Sequence, residues 1–289
     1  MMHGMLSIGE VLDRAEAALK ASDAVEHPHA GKERYDAEEL LEWVVGPDWD
    51  LDEMLPAQRL RRFDRLLARR LAGEPPAYIT GRTTFAGLEL RIRPGAFIPR
   101  ESSEWMAEQA VRRLRRRPRP VLVDVATGIG PVALAVASRL SSAQVLGVDI
   151  SPIPIRLAKE NARRLGLRNV RFHLGDLFGP VPGGLLGRVD VITVHPPYVG
   201  KRELKELPDE IRRFEPLEAL TDHSPLGDRI LGLVARESPA WLKPGGWLLV
   251  EVSPDRSRGV KSVLNAAGYR DVRSTKGGVE VSRVVVGRA

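Results

Sequence analysis

From residue 120 to residue 174 short apolar runs alternate with stretches of helical spacing, and this restricts the fold more than any other feature of the chain. Residues 120–125, 145–149 and 170–174 read as strands, while residues 132–139 and 153–165 carry helical periodicity between them. A strand followed by a helix and then a strand returns to a parallel partner through a right-handed crossover. The expectation is an α/β fold around a mostly parallel sheet. The pattern continues with a strand at 189–194, a loop-rich span at 200–225 and a helix at 228–242. A Lys243-Pro244-Gly245-Gly246 turn, a strand at 247–252, a helix at 256–267 and closing strands at 271–273 and 281–286 follow.

Upstream of this block the pattern is helical. Ile8, Val11, Leu12, Ala15 and Leu19 share one helix face, Ala37, Leu40, Leu41 and Val44 a second, and Leu60, Phe63, Leu66, Leu67 and Leu71 a third. Gly73-Glu74-Pro75-Pro76 punctuates the end, and residues 84–92 form a short hairpin. Three regions are therefore expected: a helical domain at 1–75, a β-hairpin linker at 76–98 and a large α/β domain at 99–289. From Ser102 an amphipathic helix carries Trp105, Met106, Ala110, Val111 and Leu114, then runs into Arg112, Arg113, Arg115, Arg116, Arg117 and Arg119. Cations complement the negative end of a helix by roughly 0.3–1 kcal/mol each, so a structural use suffices for them.

The chain has 289 residues, 43% of them hydrophobic, which supports a substantial core. It contains no cysteine, which excludes disulfides, thiolate metal sites and cysteine nucleophiles and fits a reducing compartment. Residues 1–20 lack a basic segment followed by an apolar run, and nowhere do eighteen apolar residues follow one another, so a cytoplasmic protein without membrane partners is expected. The net charge of +6 comes with 36 Arg against 8 Lys, a guanidinium-rich surface that leaves contact with RNA open. His27-Pro28-His29 lies in a polar stretch between helices and reads as a loop, His173 alternates into a strand, and no metal is expected.

Two motifs carry chemistry. Val189-Asp190-Val191-Ile192-Thr193-Val194 must end at His195-Pro196-Pro197-Tyr198, because two prolines fix φ and supply no N–H. Carbonyls beside an aromatic ring then form a rigid acceptor-lined notch at a strand's carboxyl end, where open α/β sheets place their ligands. The second motif, Asp124-Val125-Ala126-Thr127-Gly128-Ile129-Gly130, sits at a strand-to-helix turn, and Asp149 ends the next strand, placed to bind a ribose diol. Gly128, Gly130 and Ala133 also satisfy the loose dinucleotide pattern, so a nicotinamide cofactor is a rival. A carboxylate at Asp124 would repel a pyrophosphate but attract the ammonium of a methionine moiety, which favours S-adenosyl-L-methionine. Asp176, after the third strand, is a further candidate for the cofactor site.

With these motifs the chain resembles the peptide chain release factor glutamine methyltransferases. The likeness runs through Gly73-Glu74-Pro75-Pro76-Ala77-Tyr78-Ile79-Thr80-Gly81, Phe97-Ile98-Pro99-Arg100, the Asp124 loop, Val148-Asp149-Ile150-Ser151-Pro152, Gly175-Asp176-Leu177-Phe178 and Lys243-Pro244-Gly245-Gly246. It implies a class I, Rossmann-like methyltransferase with a seven-stranded sheet ending in an antiparallel strand, preceded by helices that help to hold a release factor. It also implies methylation of the side-chain amide nitrogen of the Gln in a Gly-Gly-Gln motif. By the same likeness Ala126, Thr127, Gly128, Ile129 and Gly130 would line the methionine and ribose, Asp149 would take the ribose hydroxyls and Leu177 would flank adenine. His195, Pro196, Pro197 and Tyr198 would cradle the substrate amide, with His195 bordering cofactor and substrate alike and His195, Pro196 and Tyr198 as the catalytic group.

The chain departs from that family at three places. It has His195 for Asn, Ala126 for Gly, and Arg100-Glu101-Ser102-Ser103-Glu104 for an Arg-Pro-Glu/Asp-Thr-Glu run. Ala126 costs about 1–2 kcal/mol if that position needs positive φ. His195 matters more, because Asn offers a carbonyl acceptor and an NH₂ donor together, neutral His one of each on different atoms, and protonated His no acceptor. Two alternatives stay open on the residues alone: a nucleic-acid amino methyltransferase, and a catalytically impaired paralogue that binds cofactor or partner.

Overall fold

A computed structural model describes residues 5–25, 31–277 and 282–289; His27-Pro28-His29 and the start of the strand expected at 281–286 lie outside the described residues. In chain order the elements are β1 (Leu6–Ser7), α1 (Ile8–Lys20), α2 (Lys32–Val45), β2 (Met54–Leu55), α3 (Ala57–Leu71), α4 (Pro76–Thr80), β3 (Arg82–Phe85) and β4 (Leu88–Arg91). Then come α5 (Glu104–Leu114), β5 (Val121–Val125), α6 (Pro131–Arg139), β6 (Gln144–Asp149), α7 (Pro152–Arg164), β7 (Val170–Leu174) and β8 (Val189–Val194). The chain closes with α8 (Asp209–Phe214), α9 (Leu217–Leu220), α10 (Arg229–Trp241), β9 (Leu242–Val252), α11 (Ser257–Ala266), β10 (Arg270–Thr275) and β11 (Arg283–Arg288).

Two compact units result, one of Met1–Arg82 with Lys205–Glu215 and one of Thr83–Leu204 with Pro216–Ala289. In the first, a capping box opens α1: Glu10 N–H donates to Ser7 Oγ (3.2 Å) and Ser7 N–H to Glu10 Oε2 (2.8 Å). The faces read from the sequence meet in one core of Ile8, Val11, Leu12, Leu40, Leu41, Phe63 and Leu67, with Leu60, Leu66 and Leu71 packed at its edge. At the base of this core lies Arg70, which is fully buried. Its Nε donates to Asp36 Oδ2 (2.7 Å) and its Nη2 pairs with Glu210 Oε2 (2.7 Å). Glu210 comes from α8, so the span at 200–225, expected to be loop, sends one helix back into this unit. Periodicity could not show this, since the tie is a buried ion pair and not an apolar face.

The second unit is built on a seven-stranded sheet in the order β10-β11-β9-β8-β5-β6-β7. β7, β6, β5, β8 and β9 are parallel to one another, and β11 runs antiparallel between β9 and β10. The α/β fold with a mostly parallel seven-stranded sheet is thus observed, and the antiparallel strand, last in sequence, is inserted one place in from the edge. All six residues of β8 are buried. Asp190 is tolerated there because it accepts from Val121 N–H (2.8 Å) and is ion-paired with Arg117 (2.9 Å) and with Lys243. Residues 243–246, expected as a turn, run on within β9, and the pairing of β8 with β9 shifts register between Val189 and Val191 to absorb them. The region expected as a hairpin linker divides: residues 76–80 form α4 and group with the helical unit, whereas β3 and β4 make the hairpin. That hairpin is docked on α7, with Arg91 N–H donating to Asn161 Oδ1 (2.7 Å) and Asn161 Nδ2 to Arg91 O (3.1 Å). Among the described residues no helix is long and apolar enough to cross a membrane.

Replacing Arg70 by Met keeps the apolar stem, leaves Glu210 without this cation and leaves Asp36 with Lys32, whose Nζ donates to Oδ2 at 2.7 Å. Because Lys32 keeps Asp36 paired, the expected cost to the helical unit is about 3 kcal/mol, the low end of the scale for breaking a buried pair by removing one partner. Urea denaturation followed by circular dichroism checks it, and a loss under about 1 kcal/mol would mean that the pair is open to water in solution.

Candidate active site

The order of the sheet reverses at β5, which feeds β6 on one side and neighbours β8 on the other. In open α/β sheets the crevice beyond the carboxyl ends of strands at such a switch point receives ligands. A cavity of about 320 Å³ lies there, lined by the loops after β5, β6, β7 and β8, by Phe97, Pro99 and Arg100 ahead of α5, and by residues of α9 and the start of α10. Of the residues singled out from the sequence, Asp124, Ala126, Thr127, Gly128, Ile129, Asp149, Asp176, Leu177, His195 and Pro197 line it. Gly130, Pro196 and Tyr198 are not among its lining residues.

Asp124, one residue before the end of β5, is 3% exposed, and both carboxylate oxygens accept from hydroxyls: Thr127 Oγ1 donates to Oδ2 and Thr193 Oγ1 to Oδ1, each at 2.6 Å. Burial pushes its pKa up to about 6, against the pull of the two threonines. Each oxygen keeps a further lone pair, so the group is held in place and still able to attract a cation. Ala126, two residues on and just past the end of β5, has φ 54, the left-handed region that a Cβ disfavours. Thr127 N–H donates to Val148 O (2.9 Å), and this ties the strained turn to the neighbouring strand.

Asp149, at the end of β6, organises the same loop. Gly128 N–H donates to its Oδ2 (2.8 Å) and Ser151 N–H to its Oδ1 (2.9 Å), while burial raises its pKa against these two bonds. Gly130 serves packing: it caps α6 at φ 83, and a Cβ there would lie 2.6 Å from Phe172 Cζ. Leu177 also sits at positive φ, 43, which is unusual for a bulky residue and fixes its side chain at the cavity wall. Nothing in the sequence announces that conformation.

The His-Pro-Pro-Tyr segment leaves β8 with trans prolines, as no cis peptide occurs among the described residues. The His195 ring meets Phe97 edge-on at 5.9 Å and stacks on Tyr198 at 5.7 Å between centroids. Tyr198 is bridged to Thr221, and Val199 N–H donates to Leu220 O (2.9 Å), so α9 folds over the segment. Burial lowers the pKa of His195, with Arg100 in the same sense and Glu251 opposing. Glu251 escaped the sequence reading. It lies on β9, 0% exposed, with Ser102 Oγ donating to Oε1 (3.1 Å) and with Oε2 at 3.9 Å from His195 Nδ1. The signal available was a single carboxylate inside the apolar run Trp247-Leu248-Leu249-Val250-Glu251-Val252. Thr193, the hydroxyl that holds Asp124, was likewise hidden in a strand.

Several of the basic residues in the last turn of α5 and just beyond it are used internally. Arg113 and Arg273 both approach the ring of Trp247 (4.6 and 5.3 Å), Arg112 lies 5.2 Å from that of Trp105 and pairs with Glu108, and Arg117 holds Asp190. Among the described residues no group of three or more His, Asp or Glu is arranged to hold a metal ion.

The backbone strain at Ala126 is open to direct test. Glycine removes the left-handed penalty of about 1–2 kcal/mol and gives back about 0.5–1 kcal/mol of chain entropy. Ala126→Gly is therefore expected to raise stability by roughly 0.5–1 kcal/mol, read as a higher thermal midpoint. A lower midpoint would show that the turn is not left-handed in solution.

Residues 10–81 match the family described as PrmC N-terminal domain, and residues 119–259 match that described as methyltransferase domain. The chain is 35% identical over 288 residues to the release factor glutamine methyltransferase of Geobacter sulfurreducens, covering 98% of this chain and 96% of that one. It is 34% identical to that of Vibrio cholerae (94% and 96% covered) and 33% identical to that of Escherichia coli (88% and 92%). Among solved structures it is similar to a methyltransferase from Pyrococcus furiosus, with TM-score 0.50, 17% identity and 70% of this chain and 89% of that one covered. A 16S rRNA N2 G1207 methyltransferase of T. thermophilus gives TM-score 0.51 at 17% identity over 72% of this chain and 49% of that one. These two likenesses concern the fold, which is that of Rossmann-like methyltransferases, whereas the three curated relatives cover 88–98% of this chain. On that ground the chain belongs to the release factor glutamine methyltransferase family of enzymes.

Proposed function

We propose that this enzyme uses S-adenosyl-L-methionine to methylate the side-chain amide nitrogen of the glutamine in the Gly-Gly-Gln motif of peptide chain release factors. The observation that carries the reading is a convergence: His195 at the end of β8 opens onto the same cavity as Asp149 and Leu177. One site can thus hold a nucleoside and present an acceptor to an amide. The residues fit the cofactor. Asp149 keeps a lone pair on each oxygen for the ribose hydroxyls, Leu177, with Asp176 beside it, offers an apolar wall to adenine, and Asp124 puts negative charge where the methionine ammonium would lie. The cofactor supplies an electrophilic methyl group on a sulfonium.

The remaining work falls to the protein, because an amide nitrogen is a weak nucleophile whose lone pair is delocalised. Accepting a hydrogen bond from the amide N–H and aiming the nitrogen along the methyl–sulfur axis lowers the barrier by positioning and electrostatics. Neutral His195 serves as that acceptor, the carbonyls of His195 and Pro196 as further acceptors, and Pro197 and Tyr198 as the stiff wall behind them. The helical unit, with no metal-binding cluster among its described residues, acts in holding the release factor. This reading sets the protein in the cytoplasm, with translation as its context, and assigns no role to RNA.

Methyl transfer from labelled cofactor to release factor, its Gln→Ala variant and nucleic acids tests the substrate; label in nucleic acid but not in release factor would replace this reading with a base methyltransferase. Asp149→Ala should weaken cofactor binding by about 1.5–3 kcal/mol, the scale for hydrogen bonds to a charged group, and calorimetry that finds unchanged affinity would remove Asp149 from the site. The pH profile addresses His195. Neutral imidazole is the working form, so activity is full above its pKa and falls as pH drops through it. Burial places that fall below the ordinary histidine value of about 6.5. His195→Asn has no titrating proton there, so its acid limb should vanish while activity is kept; a limb that persists unchanged belongs to another group.

A further inference from the structure

We propose that Glu251 is a positioning residue for this reaction: its carboxylate takes the proton on His195 Nδ1 as a hydrogen bond and so leaves Nε2 bare as the acceptor for the substrate amide. The inference rests on the proposed role of His195 and adds a residue to it. β8 and β9 are parallel neighbours with Val194 opposite Val250, which puts the residues just beyond, His195 and Glu251, side by side. Glu251 is 0% exposed, and only one of its oxygens is satisfied: Oε1 accepts from Ser102 Oγ (3.1 Å), whereas Oε2 has no hydrogen-bond partner among the described residues. A buried carboxylate oxygen without a partner is costly, so a donor should serve it during function. His195 Nδ1, at 3.9 Å, is placed to be that donor.

That separation exceeds a hydrogen bond by about 1 Å, and catalytic contacts of this kind commonly tighten when substrate binds. The imidazole is held between the edge of Phe97 and the face of Tyr198, so closing the gap needs a small shift of the ring and no change of backbone. The charged and titratable groups facing His195 are Glu251 from β9, Arg100 from the segment before α5, and Tyr198 from its own turn. Glu251 alone among them can accept from Nδ1 as an anion. Its charge favours a second proton on the ring, and burial with Arg100 opposes that, which keeps the imidazole neutral at ordinary pH while its one proton is directed to the carboxylate. Glu251 thereby does for histidine what an amide side chain does without help, fixing which atom donates and which accepts.

Long-range ¹H–¹⁵N spectra of protein labelled at histidine give tautomer and titration directly. Neutral His195 should carry its proton on Nδ1 in the wild type, and in Glu251→Gln its titration should move down by about one pH unit or more, as loss of an anion within 4 Å requires. The acid limb of methyl transfer should move with it. A wild-type Nε2–H tautomer overturns the proposal, and this result needs no variant to fold; a titration unmoved in Glu251→Gln overturns it as well. Both spectral readouts are independent of any methyl acceptor, so a protein with the predicted tautomer that leaves release factor unmethylated keeps the His195–Glu251 pair and loses only the substrate assignment.

Discussion

The hydrogen-bonded placement of β8 between β5 and β9 is the constraint on which the rest of this enzyme depends. A strand buried on every residue and paired on both sides cannot slip without exposing its apolar set, so its carboxyl end is fixed in space. His195 begins where pairing stops. Asp124 arrives from one neighbour and Glu251 from the other, which means that three groups from distant parts of the sequence are positioned by one ladder of backbone bonds.

The site carries the costs that such placement entails. Ala126 and Leu177 hold left-handed backbone conformations, Asp124 is a carboxylate within the sheet, and Glu251 has a buried oxygen without a donor among the described residues. Strain and desolvation of this kind persist where the surroundings over-determine the geometry. Here the surroundings are identifiable: Thr127 and Thr193 on Asp124, Gly128 and Ser151 on Asp149, Ser102 on Glu251. Asp149 links the two requirements, since the carboxylate assigned to the ribose also fastens the loop that lines the cavity.

The helical unit follows a different logic. Its core is the ordinary packing of three amphipathic faces, but one of its ties to a remote part of the chain is the ion pair between Arg70 and Glu210. A fragment ending at residue 75 would strip the segment Lys205–Glu215 of these partners, so the unit is not severable at a single point of the sequence. Family membership rests on sequence matches that run through both units.

Features that depend on local periodicity and backbone chemistry were legible in the order of residues. The alternation of β5 to β7 with α6 and α7 dictated a parallel sheet, the apolar faces of α1 to α3 dictated a helical unit, and two prolines dictated where β8 stops. Asp124, Asp149 and His195 could be named because strand ends in such sheets are where ligands bind. Tertiary structure alone decided the rest. The left-handed Leu177, the return of α8 to the helical unit, the reassignment of residues 76–80, the packing role of Gly130 and the juxtaposition of Glu251 with His195 depend on contacts between segments far apart in sequence. A lone Glu in an apolar strand is legible as unusual, but which side chain it faces is set by the register of β9 against β8, and register is a property of two strands together.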